Sequence, residues 1–116
     1  MPVRIKRIYE AMSNDDGYRV LIDRLWPRGI KKEEAQIDEW LKEVAPSQTL
    51  RRWFGHQPEK RKSFYTRYST ELYDSVPLAQ LKTLMNKHKT LTLLYSAKDE
   101  QHNHAIIIKE LLQSSQ

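Results

Sequence analysis

An α/β fold is predicted for this 116-residue chain: one small domain, with a sheet of about three or more strands packed against four to five helices. Three observations predict it. The length suits a single domain. Strand-type runs lie at Val3–Ile8, Tyr18–Ile22 and Thr90–Tyr95, separated by stretches with helical apolar spacing. No internal repeat, low-complexity tract or linker interrupts the chain.

Val3 to Ile8 alternates apolar and basic residues, as a half-buried strand does. Ser13 to Gly17 is a dense turn signal, and Tyr18 to Ile22 reads as a second, more buried strand. A hairpin between the two is a candidate pairing, although its connection is long. Asp23 to Gly29 is a loop stiffened by Pro27. Ile37, Trp40, Leu41 and Val44 follow the i, i+3, i+4, i+7 spacing of a helix that Pro46 stops. Ser47 is placed to cap a short helix ending at Phe54. A longer helix is predicted from Pro58 to Tyr73, and another opens at Pro77 with Leu78, Leu81, Leu84 and Met85 as its stripe. Asp99 is the expected cap of a last helix over Glu100 to Gln113. Its Ala105-Ile106-Ile107-Ile108 run marks it as buried.

Composition removes several function classes. There is no cysteine, so disulfides, thiolate zinc sites and cysteine nucleophiles are excluded. No apolar run approaches the roughly 20 residues that span a bilayer. Met1 to Glu10 is charged and lacks an apolar signal-peptide core, so a cytoplasmic protein with no membrane role is expected. The net charge is +5, from 20 basic and 15 acidic residues. Such a surface attracts anions, including phosphates and nucleic acid, and is equally the mixed solvated surface of an ordinary domain. There is no glycine-rich phosphate loop and no Gly-x-Ser-x-Gly elbow.

Unusual side chains collect in two loops that each follow a strand. Asp23-Arg24-Leu25-Trp26-Pro27-Arg28-Gly29 holds two arginines in a constrained backbone, and a guanidinium fork matches a phosphate or carboxylate. The competing structural reading pairs Asp23 with Arg24 or Arg28 and uses Trp26 as a core plug. The second loop, Tyr95 to His104, leads into a helix start, which favours anions, and Lys98 adds charge there. Asp99 and Glu100 oppose that reading. Histidine is the side chain whose free form changes charge near neutral pH, so His102 and His104 are candidates for proton transfer. Two apart on a helix they point in different directions, so no metal is expected from them unless the segment is a loop or His56 joins. Ser96 at a strand end is read as structural rather than as a nucleophile. Trp40, Trp53, Phe54, Tyr65 and Tyr68 are read as core before being read as a base-stacking surface.

The string Val20-Leu21-Ile22-Asp23-Arg24-Leu25-Trp26-Pro27-Arg28-Gly29 resembles the bacterial YeaO-like family, domain of unknown function 488. Asp38 to Ser47, Leu50 to His56, and Leu93 to Asp99 with His102-Asn103-His104-Ala105 agree with it, covering nearly the whole chain. The resemblance implies an α/β bacterial cytoplasmic protein and carries over no reaction. Longer relatives of the wider group resemble a pattern with cysteines around the last loop, ending Cys-His-Arg. Asn103-His104-Ala105 stands in that place here, and Ser96 stands where a strand-end cysteine can occur. Only His104, Lys98 and Asp99 keep the matching residue type.

The leading expectation is a polar pocket for a small anion of phosphate or carboxylate type. Its ligand-binding residues would be Asp23, Arg24, Arg28, Lys98, His56 and Tyr95. If the site is enzymatic, His104 or His102 transfers the proton and Asp99 orients it. No cofactor or metal is expected. The alternative is a non-catalytic binding or regulatory module that meets nucleic acid or a protein partner through its basic surface.

Overall fold

A computed structural model describes residues 2–55, 57–100 and 102–114. The four strands are β1 (Val3–Arg7), β2 (Tyr18–Leu21), β3 (Glu39–Trp40) and β4 (Leu91–Tyr95). Five α-helices accompany them: α1 (Lys32–Ala35), α2 (Gln48–Phe54), α3 (Arg61–Leu72), α4 (Val76–Lys87) and α5 (His104–Ser114). The sheet order is β1-β4-β2-β3 and every pairing is parallel. The predicted α/β class is therefore observed.

Side chains alternate across the sheet with period two. Val20, Ile22, Leu91, Leu93 and Tyr95 enter the larger core, which Tyr68, Leu72, Leu81, Ile108 and Leu112 complete from α3, α4 and α5. Leu21 and Leu94 point the other way, into a smaller core with Ile8 and Ala35, walled by Trp26, Ile37 and Trp40. Cover on both faces explains why β4 is buried at every position and is apolar apart from Thr92.

Two local expectations are corrected. β1 and β2 form no hairpin, because β4 lies between them. The Ile37–Val44 segment is not one helix. α1 ends at Gln36 in the left-handed region (φ 48°), β3 follows, and Lys42–Val44 forms a 3-10 turn. The exposed edge of β2 explains this. Asp38 N–H donates to the Arg19 carbonyl (2.8 Å), Leu41 N–H donates to the Leu21 carbonyl (2.9 Å), and the Asp38 carboxylate accepts from Arg19 N–H (2.8 Å). Pairing satisfies buried backbone groups that a helix would leave open. It also sends Ile37 and Trp40 into one core and Leu41 and Val44 into the other.

Other starts and stops follow the sequence closely. Ser47 Oγ accepts from Leu50 N–H (3.1 Å) and caps α2, while Ser75 does the same for α4 through Leu78 N–H (3.2 Å). Pro58–Lys60 is a 3-10 turn that runs into α3. The last helix starts later than expected. The Asp99 carboxylate accepts from His102 N–H (3.0 Å) and holds the loop, whereas Asn103 Oδ1 accepts from Ile106 N–H (3.2 Å) and caps α5. Gly17 precedes β2 at φ 65°, where a Cβ would meet the Thr90 carbonyl oxygen at 2.4 Å.

A buried ionic knot fixes β2. Arg19, only 4% exposed, pairs with Asp16 and donates to the Ala35 (3.0 Å) and Gln36 (2.9 Å) carbonyls at the end of α1. Lys6 reaches the same Asp16 carboxylate at 3.2 Å, and Thr92 Oγ1 donates to the Asp16 carbonyl. Burial pushes the Asp16 carboxyl up, but hydrogen bonds from Ser13, Lys6 and Arg19 outweigh it and leave it below the usual range. Arg19→Met is expected to cost about 3 kcal/mol, because Asp16 keeps its burial and loses a buried partner. Urea denaturation measures the loss. Adding Asp16→Asn should recover part of it, and strict additivity of the two changes would contradict the coupling.

Candidate functional site

The parallel sheet aligns the carboxyl ends of β2 and β4, the position where open α/β sheets receive ligands. Ile22 N–H donates to the Leu94 carbonyl (3.0 Å), and just beyond this pair Asp23 and Ser96 emerge beside each other. The Asp23 Oδ2 atom accepts from both the Ser96 N–H (2.9 Å) and the Ser96 hydroxyl (2.6 Å). His104, the first residue of α5, brings Nε2 to 3.3 Å from Asp23 Oδ1 and 3.1 Å from the Ile22 carbonyl. Both neighbours are acceptors. The neutral imidazole therefore carries its proton on Nε2 and leaves Nδ1 as the acceptor. Burial pushes the Asp23 carboxyl up, but hydrogen bonds from His104 and Ser96 more than offset this and hold it below its usual range.

Above this network opens a cleft of about 640 Å³. Asp23, Arg24, Leu25, Trp26, Pro27 and Arg28 line it from the β2 loop; Ser96, His102 and His104 line it from the β4–α5 segment. Arg51, Phe54, Arg61, Phe64 and Tyr65 come from α2 and α3. The two loops singled out in the sequence thus contribute to one cavity.

The expected site residues divide by position. Asp23, Arg24, Arg28, His102 and His104 line the cleft. Arg24 is spoken for: it donates to the Ala45 (3.2 Å) and Pro46 (3.4 Å) carbonyls and lies 4.0 Å from Glu43. Asp99 sits outside the lining, pairing with Arg61 at 3.5 Å and with His102 Nδ1 at 3.1 Å. Asp99 therefore orients His102, while His104 is held by Asp23. Lys98 is exposed and is not among the lining residues. Tyr95 is buried in the larger core, and burial raises its phenol. His56 lies outside the described residues. Asp23 pairs with neither Arg24 nor Arg28 among the described residues. Trp26 is only half-buried, donates to the Ile30 carbonyl (2.7 Å) and meets Trp40 edge-on.

The sequence reading missed Arg51, Arg61, Phe54, Phe64 and Tyr65 as cleft residues. Arg51 is an exposed helical arginine by pattern, and the aromatic residues fit a core stripe. Their helical spacing gives the faces of α2 and α3, not which end of each helix meets the sheet edge. No group of three or more His, Asp or Glu side chains suited to a metal occurs among the described residues. None of their helices is long and apolar enough to cross a membrane.

A family model described as the inactive DUF488-N3 subclade matches residues 2–116. The chain belongs to that family. It is similar to uncharacterized protein YeaO of Escherichia coli K12, with 41% identity over 98% of this chain and 99% of YeaO. It is also similar to uncharacterized protein Rv3073c of Mycobacterium tuberculosis H37Rv, with 43% identity over 95% of this chain and 92% of that one. The YeaO-like resemblance carried by the motifs is thereby borne out. No solved structure matches.

A depressed carboxylate contributes stability that is present above its unfolded value, near pH 3.9, and is lost as pH falls through the lower folded value. Asp23→Asn is accordingly expected to cost about 1–3 kcal/mol at neutral pH. The gap to the wild-type protein should close below about pH 4. Urea melts of both proteins from neutral pH to pH 3 check this; a gap that stays constant would show that the Asp23 charge contributes nothing.

Proposed function

We propose that this protein is a binding module for a small anion of phosphate or carboxylate type, held in the cleft outside β2 and β4. The observation that carries the reading is a charge imbalance. Arg24, Arg28, Arg51 and Arg61 line the cleft against one carboxylate among the described residues, Asp23, which accepts hydrogen bonds from Ser96 and lies beside His104. Arg28 and Arg51 have no ion pair among the described residues. Two exposed guanidinium groups at the lining of one cleft attract an anion more strongly than when spread apart over the surface.

Binding without turnover suits the same geometry. A serine nucleophile needs a base at its hydroxyl, and the Ser96 proton is directed to Asp23 rather than to a histidine. The family description "inactive" agrees with that reading. The Asp99–His102 pair favours proton transfer, because Asp99 fixes the His102 ring at the cleft wall, as Asp23 does for His104. The cytoplasm supplies phosphorylated and carboxylated metabolites in a compartment consistent with the cysteine-free sequence.

Isothermal titration at low salt with inorganic phosphate, phosphomonoesters and carboxylates tests the reading. Saturable binding is expected, weakened about tenfold by Arg28→Ala or by Arg51→Ala and lost in the double variant. Binding that survives the double variant, or the absence of binding by every anion, would overturn it. Release of product from a bound phosphomonoester, abolished by His102→Ala, would replace the binding module with an enzyme.

A further inference from the structure

The anion-binding reading leaves most of the cleft unexplained. A volume of about 640 Å³ far exceeds the room needed by a bare phosphate or acetate, given that a water molecule's share of the liquid is about 30 Å³. It falls in the range of sites that enclose a whole organic molecule. Its arginines share the lining with Leu25, Trp26, Pro27, Phe54, Phe64 and Tyr65.

Those rings are arranged to offer apolar faces. Phe54, at the end of α2, and Phe64, in the first turns of α3, lie 4.6 Å apart between centroids at an angle of 40°, and both are half-buried. Polar atoms of the other rings are committed within the protein. Trp26 Nε1–H donates to the Ile30 carbonyl, and the Tyr65 hydroxyl donates to Glu110. With these handles tied down, what Trp26 and Tyr65 present to the cleft is ring carbon. A hydrated inorganic anion would leave that surface wet, whereas a ring packed against it removes water from both partners.

We infer that the ligand is an aromatic organic anion, its acid group at Arg28 and Arg51 and its ring against Phe54, Phe64 and Tyr65. This rests on the anion-binding reading and narrows it to a ligand class. Aryl phosphates and aryl carboxylates share the required chemistry, and comparing the two series shows which acid group the arginines prefer.

The experiment is a calorimetric comparison on the full chain of phenyl phosphate with methyl phosphate, and of benzoate with acetate, with phenol as the uncharged control. The aryl member of each pair should bind about tenfold or more tightly than its alkyl partner. Phe54→Leu should weaken the aryl ligand several-fold and leave the alkyl one unchanged; Tyr65→Leu makes the same test should Phe54→Leu fail to fold. Equal affinity within both pairs would overturn the aromatic inference and leave anion binding standing. Phenol binding as tightly as phenyl phosphate, or aryl binding that ignores loss of Arg28 and Arg51, would overturn both. So would the absence of binding by all five at millimolar concentration.

Discussion

One carboxylate organises the end of this molecule where its chemistry lies. Asp23 leaves β2 and takes hydrogen bonds from the Ser96 backbone and hydroxyl, while His104 closes on its other oxygen. Three points far apart in the chain are thereby joined at the carboxyl edge of the sheet. Hydrogen bonds to a charged group contribute more than neutral ones, about 1.5–3 kcal/mol each, so this contact sets the relative position of two loops and a helix start. It also sets the electrostatics above it. The carboxylate keeps its negative charge at the cleft lining while its acceptor positions are turned to Ser96 and His104.

The same residues show why a cysteine-free relative keeps a formed pocket. In the resemblance drawn from the sequence, Ser96 and Asn103 fall where longer relatives resemble a thiol pattern. In this chain both are structural. Ser96 completes the Asp23 network, and Asn103 caps α5 through Ile106 N–H while its side-chain amide donates to the Asp99 carbonyl (3.0 Å). A hydroxyl and an amide hold the loop by hydrogen bonds that a thiol makes only weakly.

Much of this architecture was legible in the sequence, because local chemistry decides it. Ser47 and the prolines mark helix starts, the mainly apolar Thr90–Tyr95 run marks a strand, and the Asp23–Gly29 loop announces itself by composition. The failures have one cause in common: a distant partner overrides a local pattern. Ile37 to Val44 has helical spacing, but the open edge of β2 claims the Asp38 and Leu41 N–H groups, and Asp38 also satisfies Arg19. Asp99 has the chemistry of a cap and spends it on His102, one turn early. Arg51 and Phe54 looked like ordinary helix residues because no local signal says that α2 ends at the cleft.

The position of β4 has a kinetic consequence. It is the last strand in the chain, yet it lies between β1 and β2 and pairs with both. β1 has no sheet neighbour, and β2 has only the two-residue β3, until residues roughly seventy or more positions later have been made, so both pairings of β4 close long loops. Chains dominated by such non-local contacts fold slowly for their size. During synthesis, β1 and β2 wait with open edges for their common partner. Arg4, Lys6 and Arg7, spaced along β1, supply the positive charge that discourages two waiting strands from pairing with one another's copies.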